Sequence, residues 1–135
     1  MTKPRSRGTD KLVDDILDAA NAAAEILARG RDAWDSDRLL RLAGEAVINR
    51  IGDAASKLPA DVRAEMPQVA WEEIRANRVL VAHVYHRIDY AIVWETLARD
   101  VPRLAEDLRR WRRKELESHN TQMPVERESG PDLGL

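Results

Sequence analysis

The chain is 135 residues long, carries 22 Lys and Arg against 24 Asp and Glu, and contains neither cysteine nor phenylalanine. That length suits one domain with its own core. The missing cysteines exclude disulfides and thiolate metal sites, and a formal charge of −2 excludes a protein that coats nucleic acid through its net field. The apolar residues are mainly Ala, Leu, Val and Ile, a mixture suited to closely packed helices, and no run of about 18 uncharged apolar residues offers a membrane span or secretory signal. A cytoplasmic, all-α protein with no membrane partner is expected.

From Asp10 to Arg29 the residues Leu12, Val13, Ile16, Leu17, Ala20, Ala23, Ala24 and Leu27 recur at three- and four-residue spacing, with Asp10 placed to cap and Gly30 to stop the helix. After "RDAWDS", Ser36 or Asp37 opens a second pattern through Leu39, Leu40, Ala43, Val47, Ile51, Ala54 and Leu58, ended by Pro59. Gly44 and Gly52 inside it each cost roughly 1 kcal/mol against Ala, which points to close approach by another helix. "PADVRAEMP" reads as a connector with one helical turn. A third helix begins near Pro67 to Trp71 and carries Ile74, Leu80 and Val81. Asp89 is a good N-cap for "YAIVWETLA", and Asp100 with Pro102 is expected to restart a last helix, "RLAEDLRRWRRKEL". The expected division is a flexible N-terminus at 1–9, a helical domain at 10–117 and a mobile polar tail at 118–135.

The scarce reactive residues gather in "NRVLVAHVYHRIDYAIVW", Asn77 to Trp94, which holds two of three histidines and both tyrosines. Between Glu73 and Asp89 stand three arginines, two histidines and no acid. A segment of that composition attracts phosphate. Arginine offers a rigid fork of donors to phosphoryl oxygens and imidazole titrates near neutrality, so Arg78 and His83 have the chemistry of metal-free RNA cleavage. The alternative is that His83 and Tyr85 are interior polar residues with one hydrogen bond each and the arginines are solvated. On a regular helix Arg78 and His83 lie about 140° apart, whereas Arg78 and Tyr85 nearly coincide. A shared site then needs a loosened helix, a long reach by Arg78, or a second copy of the chain. His83 and His86 share a face, yet no Glu-x-x-His pair accompanies them, so no metal and no cofactor is expected. The run "RRWRRK" is read either as a solvated face complementing the negative end of its helix or as a surface that tracks RNA.

These residues resemble the HepT-like toxins of the HEPN superfamily, partners of minimal nucleotidyltransferases. The likeness centres on the RxxxxHxY motif, here Arg78, His83 and Tyr85 in "RVLVAHVY", followed by "IDYAIVWETL". "GEA" at Gly44 to Ala46 and the Pro67, Trp71, Ile74 spacing extend it over most of the chain, from about Leu12 to Leu104. Two positions depart: Val79 stands where such toxins usually carry a polar residue, with Asn77 before the arginine instead, and His86 replaces a frequent aromatic.

The resemblance implies an antiparallel four- to five-helix bundle that dimerises with both motif helices facing one cleft, which would bring two arginines and two histidines together. It implies a metal-independent endoribonuclease, the toxin of a type VII-like toxin–antitoxin pair. Arg78 and His83 would be catalytic, and Asn77, Glu45 and His86 would be outer partners. It also implies neutralisation by a nucleotidyltransferase antitoxin that adds AMP to Tyr85, where a bulky anion beside Arg78 would occupy the place of RNA phosphate. A catalytically weak helical partner of a nucleotidyltransferase is the alternative reading.

Overall fold

The computed structural model describes residues 6–76 and 88–121, with side chains through Ser118. Helix α1 spans Arg7–Ala28, and its N-cap is Ser6, whose hydroxyl accepts from the Thr9 amide. Asp10, the expected cap, instead sits in the first turn, where its charge complements the helix dipole. Helical structure therefore begins at Arg7, inside the stretch expected to be flexible. Gly30, at φ 90°, separates α1 from a six-residue helix, α2 (Arg31–Ser36), in the segment expected to be a link. Only glycine takes that φ cheaply. The second long helix, α3 (Arg38–Lys57), starts where the sequence puts it, with the Asp37 carboxylate accepting from the Leu39 amide, and stops at Leu58 ahead of Pro59. A single helical turn, α4 (Ala60–Ala64), fills the connector. Residues 71–76 are helical (α5) up to the edge of the described chain.

Beyond the gap, Asp89 caps α6 (Tyr90–Glu95) by accepting from the Ala91 and Ile92 amides. The expected restart at Asp100 does not occur. A π-helical turn, Thr96–Asp100, carries the chain from α6 into α7 (Val101–Thr121) without a break. Pro102 has no N–H to bond the preceding turn and its ring would crowd a carbonyl there; the wide turn just ahead of it relieves both. At its other end α7 runs three residues past Ser118, where a polar tail was expected to begin.

The long helices pack as antiparallel neighbours. Arg50 near the end of α3 pairs with Asp15 at 3.6 Å and Asp18 at 2.8 Å in α1, and Arg112 in the second half of α7 pairs with Asp14 at 2.9 Å. Their inward faces and the π-helical turn form one core that includes Val13, Ile16, Val47, Ile51, Leu97 and Leu108. Trp34, fully buried, brings the short α2 into it. Gly44 makes that possible: a Cβ there would stand 2.5 Å from Trp34 Cη2. The close approach expected at this glycine is therefore a tryptophan ring from α2. All described regular structure is helical, an all-α fold, and no described helix is long and apolar enough to cross a membrane.

Candidate functional site

The proposed catalytic pair Arg78 and His83, the modification candidate Tyr85, and the outer candidates Asn77 and His86 all lie at 77–87, outside the described residues. Glu45 alone of the candidates is described. The structure defines the two ends between which the motif is strung and what holds each.

The upstream end is held by Trp71. Its ring is buried, and its Nε1 donates to the carbonyls of Arg63 and Met66, both at 3.2 Å, tying α5 to the connector. One turn on, Ile74 packs against the core. These partners are backbone oxygens and apolar surface, with no charge to titrate.

The downstream end is held by a polar network around Tyr90. Its hydroxyl donates to the Glu45 carboxylate on α3. Its backbone carbonyl accepts from Trp34 Nε1 at 3.1 Å, and the Trp34 ring meets the Tyr90 ring edge-on. The Arg41 guanidinium lies 5.4 Å from the Tyr90 ring centroid and donates to the carbonyls of Trp34 and Asp35 at 2.9 and 2.7 Å. Trp94 also packs against Trp34, with Arg31 above its ring. The hydrogen bond to Glu45, then burial, then the negative charge of Glu45 push the Tyr90 hydroxyl above its ordinary pKa, against the opposing pull of Arg41 and Arg38. It is a firm donor near neutrality and a poor nucleophile.

Glu45, an outer-partner candidate, is thus spent on Tyr90, and its link to the motif runs through the chain three residues beyond the gap. Sequence reading missed Trp34, Arg41 and Tyr90 as a unit. The only local signal was the placement of Asp89 and Tyr90 just after the motif; the partners lie 45 and 56 positions away.

A pocket of about 150 Å³ opens between α3, α5 and the start of α7, with Ile48, Ile74 and Leu104 among its walls. Among the described residues, Glu73, Asp100 and Asp107 line it with Arg103.

The family model described as "Ribonuclease HepT-like" matches residues 16–111, a span that contains both anchors and the whole motif between them. The chain belongs to the HepT-like family. Among relatives, this HepT-like chain is 28% identical over 95 residues to "Putative RNase MJ1380" of Methanocaldococcus jannaschii, covering 70% of this chain and 87% of that protein. It is 32% identical over 79 residues to "Putative RNase TTE0752" of Caldanaerobacter subterraneus, covering 58% and 70% respectively. With "Probable ribonuclease HepT" of Thermococcus cleftensis it shares 28% identity over 68 residues, half of this chain and 62% of that one. No solved structure matches.

Proposed function

We propose that this HepT-like protein is a metal-independent endoribonuclease that acts as the toxin of a toxin–antitoxin pair in the cytoplasm. The observation that carries the reading is the family match over residues 16–111, a span that includes "RVLVAHVY", together with relatives named as ribonucleases. The residues supply the chemistry. His83 takes the proton from a ribose 2′-OH, the 2′ oxygen attacks the adjacent phosphorus, and the bond to the 5′ oxygen breaks as that oxygen is protonated. Arg78 stabilises charge on the phosphoryl oxygens in between. In a homodimer a protonated His83 of the partner subunit serves the leaving oxygen. Three exposed aliphatic side chains, Leu39 and Leu42 at the start of α3 and Ile92 on the adjoining α6, give a second copy an apolar surface to cover near the downstream anchor.

Under this reading a nucleotidyltransferase antitoxin silences the enzyme by adding AMP to Tyr85, a hydroxyl seven residues from Arg78. Tyr90, the alternative acceptor, already donates its hydroxyl to Glu45. Intact mass after incubation with a cognate nucleotidyltransferase and ATP tests this: AMP-sized additions on the wild type, none on Tyr85→Phe, and toxicity of Tyr85→Phe that escapes the antitoxin. Equal additions on both proteins would remove Tyr85 from the account. Growth arrest on induction that His83→Ala leaves unchanged would favour the non-catalytic partner reading.

A further inference from the structure

The basic run from Arg109 to Lys114 has one sequence-level explanation that the structure removes. Cations favour the negative end of a helix only within its last turn, whereas α7 continues to Thr121, seven residues beyond Lys114. The run lies mid-helix, and the dipole does not account for it.

Its residues divide by face. Leu104, Leu108 and Trp111 are buried, the Trp111 indole donates to Glu65 at 2.7 Å, and Arg112 is pinned to Asp14 on α1. Arg109, Arg110, Arg113 and Lys114 are exposed on the other side, in two adjacent rows set by their one- and four-residue spacing. Arg110 is neutralised by Glu106 at 3.1 Å and Asp107 at 3.6 Å. Arg109, Arg113 and Lys114 make no ion pair with any described residue. Several exposed helical cations in this chain are paired within one turn, Lys11 with Asp15, Arg31 with Asp35, Lys57 with Asp53, Arg75 with Glu72 and Arg99 with Glu95, whereas three unpaired ones fall together here. Between Arg109 and Lys114 the sequence places five cations and no acid, in a chain whose net charge is negative. Glu117 continues the row of Arg109 and Arg113 one turn on, and between Arg109 and Lys114 the exposed face itself is basic, which costs like-charge repulsion and suits an anionic ligand.

We propose that this face of α7 is an accessory site for the phosphate backbone of single-stranded RNA, an inference that rests on the ribonuclease reading above. Arg109 and Arg113 stand one above the other about 6 Å apart along the axis, and each presents a planar fork of donors to phosphoryl oxygens. Lys114 adds a third charge beside them. Such contacts hold and orient a strand without reading its sequence. The chain enters the motif segment at the opposite end of α7: Ile74, three residues before the gap, shares the pocket wall with Val101. Arg113 lies about 18 Å along the helix from Val101. On this proposal the face helps long strands, and cleavage of a dinucleotide does not depend on it.

The test uses the full-length protein and a labelled 2′-O-methyl oligouridylate, which binds without being cleaved, in fluorescence anisotropy across a salt series. Cleavage of long RNA and of a dinucleotide is followed in parallel. Each single-strand phosphate contact contributes about 0.7 to the log–log salt slope, so Arg109→Ala/Arg113→Ala is expected to weaken binding and flatten the slope by about 1.4. KM for long RNA should rise while dinucleotide cleavage is unchanged, with circular dichroism confirming the helical fold. Affinity and slope equal to the wild type would overturn the proposal. So would a wild type that binds polyglutamate through this face and loses that binding in the double variant while its RNA slope stands. If binding falls as expected but neither protein cleaves any RNA, the accessory site holds and the ribonuclease reading fails.

Discussion

The two anchors of the motif segment are built from different chemistry. Upstream, Trp71 gives its indole N–H to two backbone carbonyls and buries its ring, so nothing in the joint changes charge. Downstream, Tyr90 is held by a carboxylate, a guanidinium and an indole, and its own hydroxyl titrates. The contrast teaches where the segment answers to its surroundings: the upstream end is fixed by shape, the downstream end by shape and charge together. Substitutions at the two ends should accordingly differ in pH response as well as in size.

The largest effect is expected from Trp34→Ala, which empties a fully buried ring site and removes the donor to Tyr90. Losses of this kind run to about 3–5 kcal/mol, and chemical denaturation should show it with the midpoint moved far down. A loss below about 1 kcal/mol would mean that the downstream anchor does not depend on this ring. Next comes Gly44→Ala, whose new methyl would press on Trp34 and Leu97. Overpacking there should cost about 1–3 kcal/mol, and in a double-mutant cycle much of that cost should vanish in the Trp34→Ala background, because the two sites share one contact.

Tyr90→Phe is expected to cost about 1–2 kcal/mol at neutral pH, by removing a donor to a charged group. The folded hydroxyl titrates above its ordinary value because ionisation would set an anion against Glu45. The bond therefore contributes fully below pH 10, and its contribution fades as pH climbs through the raised folded value. Stability measured from neutral to strongly alkaline pH should show wild type and Tyr90→Phe converging at the top. Parallel curves would remove the charge from the account of this anchor. The smallest effect belongs to Trp71→Phe, which keeps most of the ring and loses a neutral hydrogen bond worth about 1 kcal/mol. That cost should be the same at every pH tested, and a pH-dependent cost would erase the contrast between the ends.

Much of this architecture could be read in advance. The apolar periods of α1 and α3 and the caps Asp37 and Asp89 are local signals carried by neighbouring residues; the structure forms both helices and both caps there, with Ala24, Leu39 and Ala43 of the two periods left exposed. What escaped was of two kinds. Short-range competition decided some of it: Ser6 takes the cap ahead of Asp10, "RDAWDS" is too short to show a period, and Pro102 is absorbed by a widened turn where a break was expected. The rest depends on contacts between residues far apart in the chain, such as Glu45 with Tyr90 and Gly44 with Trp34, which periodicity does not reveal. Of the site, composition and spacing single out candidates at 77–87, outside the described residues, while the partners that hold the segment's ends emerge only from packing.

The central claim, that Arg78 and His83 cleave RNA without a metal, is tested most directly by incubating purified protein with RNA in EDTA and comparing the wild type with His83→Ala and Arg78→Ala. The account predicts wild-type cleavage in chelator and a fall of about 10² to 10⁴ in rate for each variant, with helical circular dichroism retained. Wild-type cleavage that stops in EDTA and returns with Mg²⁺, or cleavage that survives both substitutions, would contradict it.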